Sequence, residues 1–150
     1  MKTKVLLITI TFNEEEMLPH FIDYYSKVAD IMLFFDGGST DKTQEIIKNT
    51  KKCVLNLDYV SDKADDLTFL KIKNEGWKQF RDTFDWILVV DIDEFLYHPH
   101  LRQKLQEYKD QNITIPLIKG YDMISLDFPE FKKGEYLPNI IRTGIYWPEW

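Results

Sequence analysis

Apolar residues along the chain come in short unbroken runs that alternate with stretches spaced by threes and fours. Lys4 to Thr11 (KVLLITIT) is rich in β-branched residues and predicts a first strand. Met17, Leu18, Phe21, Ile22 and Tyr25 then form the buried stripe of a helix from Glu14 to about Lys27. Asn13 is placed to cap that helix, Glu14, Glu15 and Glu16 to complement its dipole, and Pro19 lies near its start, where a missing N–H costs least. Ile31 to Phe35 predicts a second strand, and Ser39 or Thr40 caps a helix from about Asp41 to Asn49. Cys53 to Val60 reads as a third strand, Leu67 to Phe80 as a helix running through Gly76, and Trp86 to Asp91 as a fourth strand. Leu101 to Tyr108 is helical and Ile113 to Ile118 a fifth strand; beyond Gly120 the pattern breaks into short apolar and aromatic pieces between Pro and Gly.

Strands alternating with helices predict βαβ units, hence an α/β fold with a mainly parallel sheet flanked by helices. Ligands of such sheets bind at the carboxyl ends of the strands. There the sequence places TFNEE after the first strand, DGGSTD after the second and DIDE after the fourth. The last is the most telling. Trp86 to Val90 is an apolar run that ends in Asp91, Asp93 and Glu94. A charge held near a low-dielectric interior costs several kcal/mol unless it is paired, hydrated or bound to a metal. In extended chain Asp91 and Asp93 share a face about 6–7 Å apart. Two hard oxygen donors at that spacing suit Mg²⁺ or Mn²⁺, which usually completes its shell with ligand phosphates. On its own D-x-D is more often solvated surface; its place at the end of a buried strand, after three βα units, argues for a metal and diphosphate site.

Composition narrows the classes. The 150 residues fit one domain, and 44% hydrophobic with 29% charged residues is a soluble globular balance. A net charge of −6 speaks against nucleic acid as a partner. Cys53 alone cannot form an internal disulfide and reads as a small core residue in a reducing compartment. The N-terminal apolar run meets acidic residues at once, so it reads as a strand and not a signal peptide. No segment approaches the roughly 18 apolar residues of a membrane span. The expected location is cytoplasmic.

At these motifs the chain resembles the nucleotide-sugar-binding part of GT-A-fold glycosyltransferases, family 2 in particular. VLLITITFNEEEMLPHFIDYYSKVADIMLFFDGGSTDKTQEII is similar to that family's opening strand, helix, strand and aspartate loop. KNEGWKQF resembles its Arg/Lys-Asn-x-Gly helix, DWILVVDIDEFLYHP its D-x-D segment, and GYDMIS is a fainter echo. The resemblance implies a single GT-A domain over residues 1–150: about 1–99 bind the nucleotide sugar, and about 100–150 begin an acceptor half that is short or missing. It implies transfer of a sugar from a nucleotide diphosphate sugar, a UDP-sugar, to a glycan or other hydroxyl acceptor, with inversion and with Mn²⁺ or Mg²⁺. Thr11 would line the base and ribose pocket, and Asp36 would accept the uracil N3–H, as an ionised carboxylate can. Lys73 would stand beside base or diphosphate, with Asn74 structural; Asp91 would meet ribose or metal-bound water, and Asp93 would be the direct metal ligand. Gly37 departs from the Asp or Asn of many relatives.

Alternatives remain open beside these roles. Asp36 can instead cap its own turn, the three glutamates can be a solvated helix start, and His98 and His100 can belong to a helix-entry turn. A base downstream of the D-x-D has only Asp122, Asp127 and Glu130 as candidates, Asp122 favoured for its place after the predicted fifth strand. The alternative to an enzyme is a truncated or non-catalytic nucleotide-sugar-binding domain. A haloacid-dehalogenase-type phosphohydrolase also uses D-x-D, but after its first strand and before Gly-Thr or Gly-Val.

Overall fold

In the computed structural model, which describes residues 2–58 and 66–146, four strands form one parallel sheet. β1 (Val5–Thr11) and β2 (Ile31–Asp36) are central, with β3 (Cys53–Asn56) and β4 (Trp86–Val89) at the edges, in the order β3-β2-β1-β4. α1 (Leu18–Tyr25), α2 (Thr43–Asn49) and α3 (Asp66–Glu75) make the crossovers, and α4 (Leu101–Asp110) follows β4. A separate antiparallel ribbon, β5 (Tyr121–Ile124) with β6 (Thr143–Tyr146), is joined through the single turn α5 (Leu137–Ile140).

Alternation along β1 and β2 explains the layers. Val5, Leu7, Met32 and Phe34 face one way and pack with Phe21 and Tyr25 of α1, Ile47 of α2, and Leu101 and Leu105 of α4. Leu6, Ile8, Leu33 and Phe35 face the other way, onto Ile72 of α3. Both faces are covered, hence the unbroken apolar runs in the sequence.

α4 closes the amino-terminal edge of the sheet. Gln106 accepts from the Thr3 N–H and hydroxyl, and Trp86 donates its indole N–H to the Leu105 carbonyl. Arg102 donates to the carbonyls of Val28 and Thr3 and forms an ion pair with Asp30, Nη2 lying 2.8 Å from Oδ2. Burial alone raises the Asp30 pKa, but the Val5 N–H and then the Arg102 guanidinium outweigh it, so the carboxyl lies below its ordinary value. A depressed acid contributes stability that is present above its unfolded pKa and lost as pH falls through its folded pKa. Urea midpoints should therefore drop below the ordinary carboxylate range, and Arg102→Gln should flatten part of that acid slope. An unchanged slope in Arg102→Gln would remove Asp30 from the account.

Several expected boundaries move. The helix expected from Glu14 begins at Leu18, because Asn13 is left-handed (φ 57°) and residues 15–17 form turns, so the glutamates precede the helix instead of starting it. Neither Ser39 nor Thr40 caps α2; Asp41 Oδ1 accepts the Thr43 N–H instead. β3 stops at Asn56, whose side chain bonds the Asp58 N–H and carboxylate, and the expected end of that strand lies outside the described residues. α3 ends at Glu75, with a 3₁₀ turn over Lys78–Phe80 after Gly76. Ile113 to Ile118 is not a strand. Ile115 and Leu117 are 87% and 103% exposed, so the segment has no face to bury, and the strand forms later, at Tyr121–Ile124.

Candidate active site

The parallel register sets Thr11 directly beside Asp36, so the ends of β1 and β2 coincide. Beside them, Val90 continues from β4 and donates its N–H to the Ile8 carbonyl, which carries Asp91 to the same edge. β1 is flanked by β2 on one side and β4 on the other, and the crossovers diverge there; such a switch point opens a crevice. A cleft of about 690 Å³ lies at this edge.

Asp36 is fully buried. Its Oδ2 accepts the N–H groups of Gly38 and Ser39 at 3.0 and 2.9 Å and the Gln44 amide at 2.8 Å. Its Oδ1 accepts the hydroxyls of Ser39 at 2.5 Å and Thr11 at 3.3 Å. Five donors on one carboxylate make it the organiser of the loop that follows β2. The loop needs a positive φ at Gly38 (96°), which glycine adopts without strain. Gly37 donates its N–H to the Thr11 carbonyl, tying the loop back to β1.

The loop after β1 is held from the far side. Asn13 Oδ1 accepts the Thr40 N–H, Glu14 donates its N–H to Thr43 Oγ1, and Glu15 exchanges hydrogen bonds with Asp41 and Lys42. Backbone bonding thus leaves the Glu14 carboxylate to line the cleft. Burial raises its pKa, and the negative charges of Asp93 and Asp41 raise it further.

The acidic turn after β4 is closed by Glu94, whose Oε2 accepts the Asp91 N–H while its own N–H returns to the Asp91 carbonyl. Glu94 is therefore occupied with backbone. Two tyrosines of α1 bolt the turn down. Tyr25 donates to the Glu94 carbonyl and accepts the Leu96 N–H; Tyr24 donates to the Leu96 carbonyl. Burial pushes both phenols up, Tyr24 to about 12, so neither ionises near neutral pH. Asp91 meets Lys73 of α3 in a two-oxygen ion pair, 2.6 and 2.7 Å from Nζ. Asp93 is exposed and lines the cleft.

The cleft thus collects Thr11, Lys73, Asp91 and Asp93 of the expected residues. Asp36 stands behind the wall, and Asn74 is exposed on α3. Asp122, exposed on β5, does not line the cleft, nor do Asp127 and Glu130. His98 and His100 form the turn into α4, His98 Nδ1 accepting the His100 N–H. Glu14, Asp41, Phe12, Phe69 and Phe128 also line it. The acidic pair was visible only as charge near a helix start, and Phe128 carried no sequence signal.

Among the described residues no three His, Cys, Asp or Glu side chains are close enough to hold a metal ion together. Among the described residues no cation pairs with Asp93, and its charge adds to burial in raising the proton affinity of Glu14 in the same cleft. A hard cation whose shell is completed by phosphate oxygens fits that donor set.

A mainly parallel sheet with helices on both faces, and an acidic D-x-D turn beside a lysine at its switch point, define a domain of the GT-A type. The family model for glycosyl transferase family 2 matches residues 6–143, and the chain belongs to that family. No curated protein matches the chain closely. No helix among the described residues is long and apolar enough to cross a membrane.

Proposed function

We propose that the cleft binds a UDP-sugar together with Mg²⁺ or Mn²⁺ and that the protein transfers the sugar to an acceptor hydroxyl. The observation that carries this reading is the meeting of Lys73, Asp91 and Asp93 at the switch-point cleft. Asp93 would hold the cation, with Asp91 beside it, and the bound cation would stabilise charge gathering on the leaving diphosphate. Lys73, freed from Asp91 by the incoming diphosphate, adds a second positive charge on the same oxygens. In an inverting transfer the anomeric C–O bond to the diphosphate breaks, the acceptor oxygen bonds the opposite face, and its proton passes to a carboxylate base.

Uracil is the proposed base because Asp36 is an obligate acceptor at the nucleotide end. For it to take the N3–H, one of its five donors must turn away. The Ser39 hydroxyl and Gln44 amide can rotate off; the two backbone N–H groups cannot. Titration calorimetry with Mn²⁺ should show UDP binding about tenfold or more tighter than ADP or GDP, the worth of one hydrogen bond to a charged group. Equal affinities would take Asp36 out of base recognition.

One observation favours the second reading, a domain that binds a nucleotide sugar without efficient transfer. The candidate base Asp122 lies on the β5–β6 ribbon, away from the cleft lining, and serving as base requires that ribbon to close on the cleft. Release of free sugar or of glycoside from a UDP-sugar by this chain separates the two: turnover abolished by Asp122→Asn supports transfer, and tight binding without turnover supports the binding domain.

A further inference from the structure

One stripe of α1 is committed to a single strap from the C-terminal part of the chain. His20, Asp23 and Tyr24 lie on one face of α1, and Lys27 follows in the turn just past its end. His20 Nε2 lies 3.0 Å from the Pro129 carbonyl, Asp23 Oδ2 accepts the Gly134 N–H at 2.6 Å, Tyr24 packs edge-on against Tyr136, and Lys27 Nζ sits 4.4 Å from the Tyr136 ring centre. A carbonyl only accepts, so Nε2 carries the His20 proton. The imidazole is 3% exposed and stands edge to face between Phe128 and Phe131, with centroids 5.6 and 5.3 Å away. Its Nδ1 has no hydrogen-bond partner among the described residues. Burying a polar ring at that cost makes sense if the strap's position matters.

The strap places Phe128 in the cleft. Among the described residues, every other member of the lining lies at or before Asp93, so Phe128 is the one aromatic group that the described C-terminal part contributes. Half of its surface remains open, in a cleft otherwise rich in carboxylates. Phe12, half exposed on the loop after β1, and Phe69 of α3 line the same cleft from the side of the parallel sheet.

We propose that Phe128 is a stacking face for a pyranose ring and that His20 is the positioning residue that holds it there. The inference rests on the glycosyltransferase reading and adds to it the group that grips the sugar. A pyranose presents a face of C–H groups, which the electron-rich face of an aromatic ring attracts, and a rim of hydroxyls, which the surrounding carboxylates accept. Donor and acceptor rings share this chemistry, and the two arms of the test tell them apart.

Calorimetry with Mn²⁺ compares UDP with UDP-glucose, UDP-galactose and UDP-N-acetylglucosamine. Saturation-transfer NMR examines methyl glucoside, galactoside and mannoside with UDP present. Phe128→Ala should weaken pyranose binding about threefold to tenfold, as loss of one aromatic contact does, and leave UDP within twofold; Phe128→Trp should retain the pyranose. A collapsed ratio of UDP-sugar to UDP affinity identifies a donor ring, and a lost glycoside signal identifies an acceptor ring. His20→Ala should reproduce the Phe128→Ala pattern, and His20→Gln, which keeps an N–H for the Pro129 carbonyl, should restore it. The proposal is overturned if neither arm changes in Phe128→Ala, if UDP is lost equally with the pyranose, or if the wild type binds no pyranose. A wild type that binds glycosides but not UDP refutes the nucleotide-sugar reading and leaves the stacking face standing.

Discussion

Asp36→Ala is expected to lower the free energy of unfolding by about 3–4 kcal/mol, because it strands several buried donors at once. The carboxylate has no exposed surface and receives Gly38, Ser39, Gln44 and Thr11. The two backbone N–H groups cannot find water without unmaking the loop, so the loss exceeds that of an ordinary surface substitution. For a domain of this size the melting temperature should fall by roughly 10 °C. Asp36→Asn, which keeps one accepting oxygen, should lie between. Thermal and urea melts of the ligand-free protein decide it. A loss below about 1 kcal/mol would mean that the loop stands without Asp36 and that the carboxylate is held in reserve for a base.

The second large effect concerns the acidic turn. Mn²⁺ with UDP should stabilise the protein by about 2.7 kcal/mol at 100 times Kd, since only the folded state binds. Asp93→Asn should abolish most of that gain while leaving the ligand-free protein equally stable or slightly more so. The substitution keeps the shape and removes a charge that bears on Glu14, whose pKa is raised by burial first and by the charge of Asp93 next. Glu14 should then titrate closer to an ordinary glutamate, which NMR of its side chain can follow. Chelation of the metal should bring the wild type to the level of the variant. An Asp93→Asn protein that melts early yet keeps its full Mn²⁺-dependent shift would mean that this carboxylate holds structure instead of a ligand.

The sheet was legible because burial on both faces writes itself as unbroken apolar runs, and β1, β2 and β4 begin within a residue of where those runs begin. The convergence of Thr11, Asp36 and Asp91 on one edge followed from parallel pairing alone. Less legible were features set by long-range contacts. Nothing near Asn13 shows that its side chain will accept from Thr40, 27 residues on, and this contact accompanies the left-handed turn that delays α1. The same holds for Asp36: D-G-G-S reads equally as a base reader or a turn organiser until Thr11 and Gln44 are seen to converge on it. After Gly120 the apolar residues of β5 and β6 stay exposed, so periodicity, which reports burial, had nothing to report.

The two ends of the sheet carry different burdens. At the amino-terminal edge Arg102, Gln106 and Trp86 lock α4 onto the strands, and Asp85 adds a pair with Lys109. At the carboxyl edge, carboxylates stand together at some expense to one another. Changes that retune recognition can thus accumulate at one rim while the fastening at the other absorbs their destabilisation. Such a division makes the scaffold tolerant of drift in specificity, and it marks the contacts of α4 as the place to add reserve stability before the cleft is redesigned.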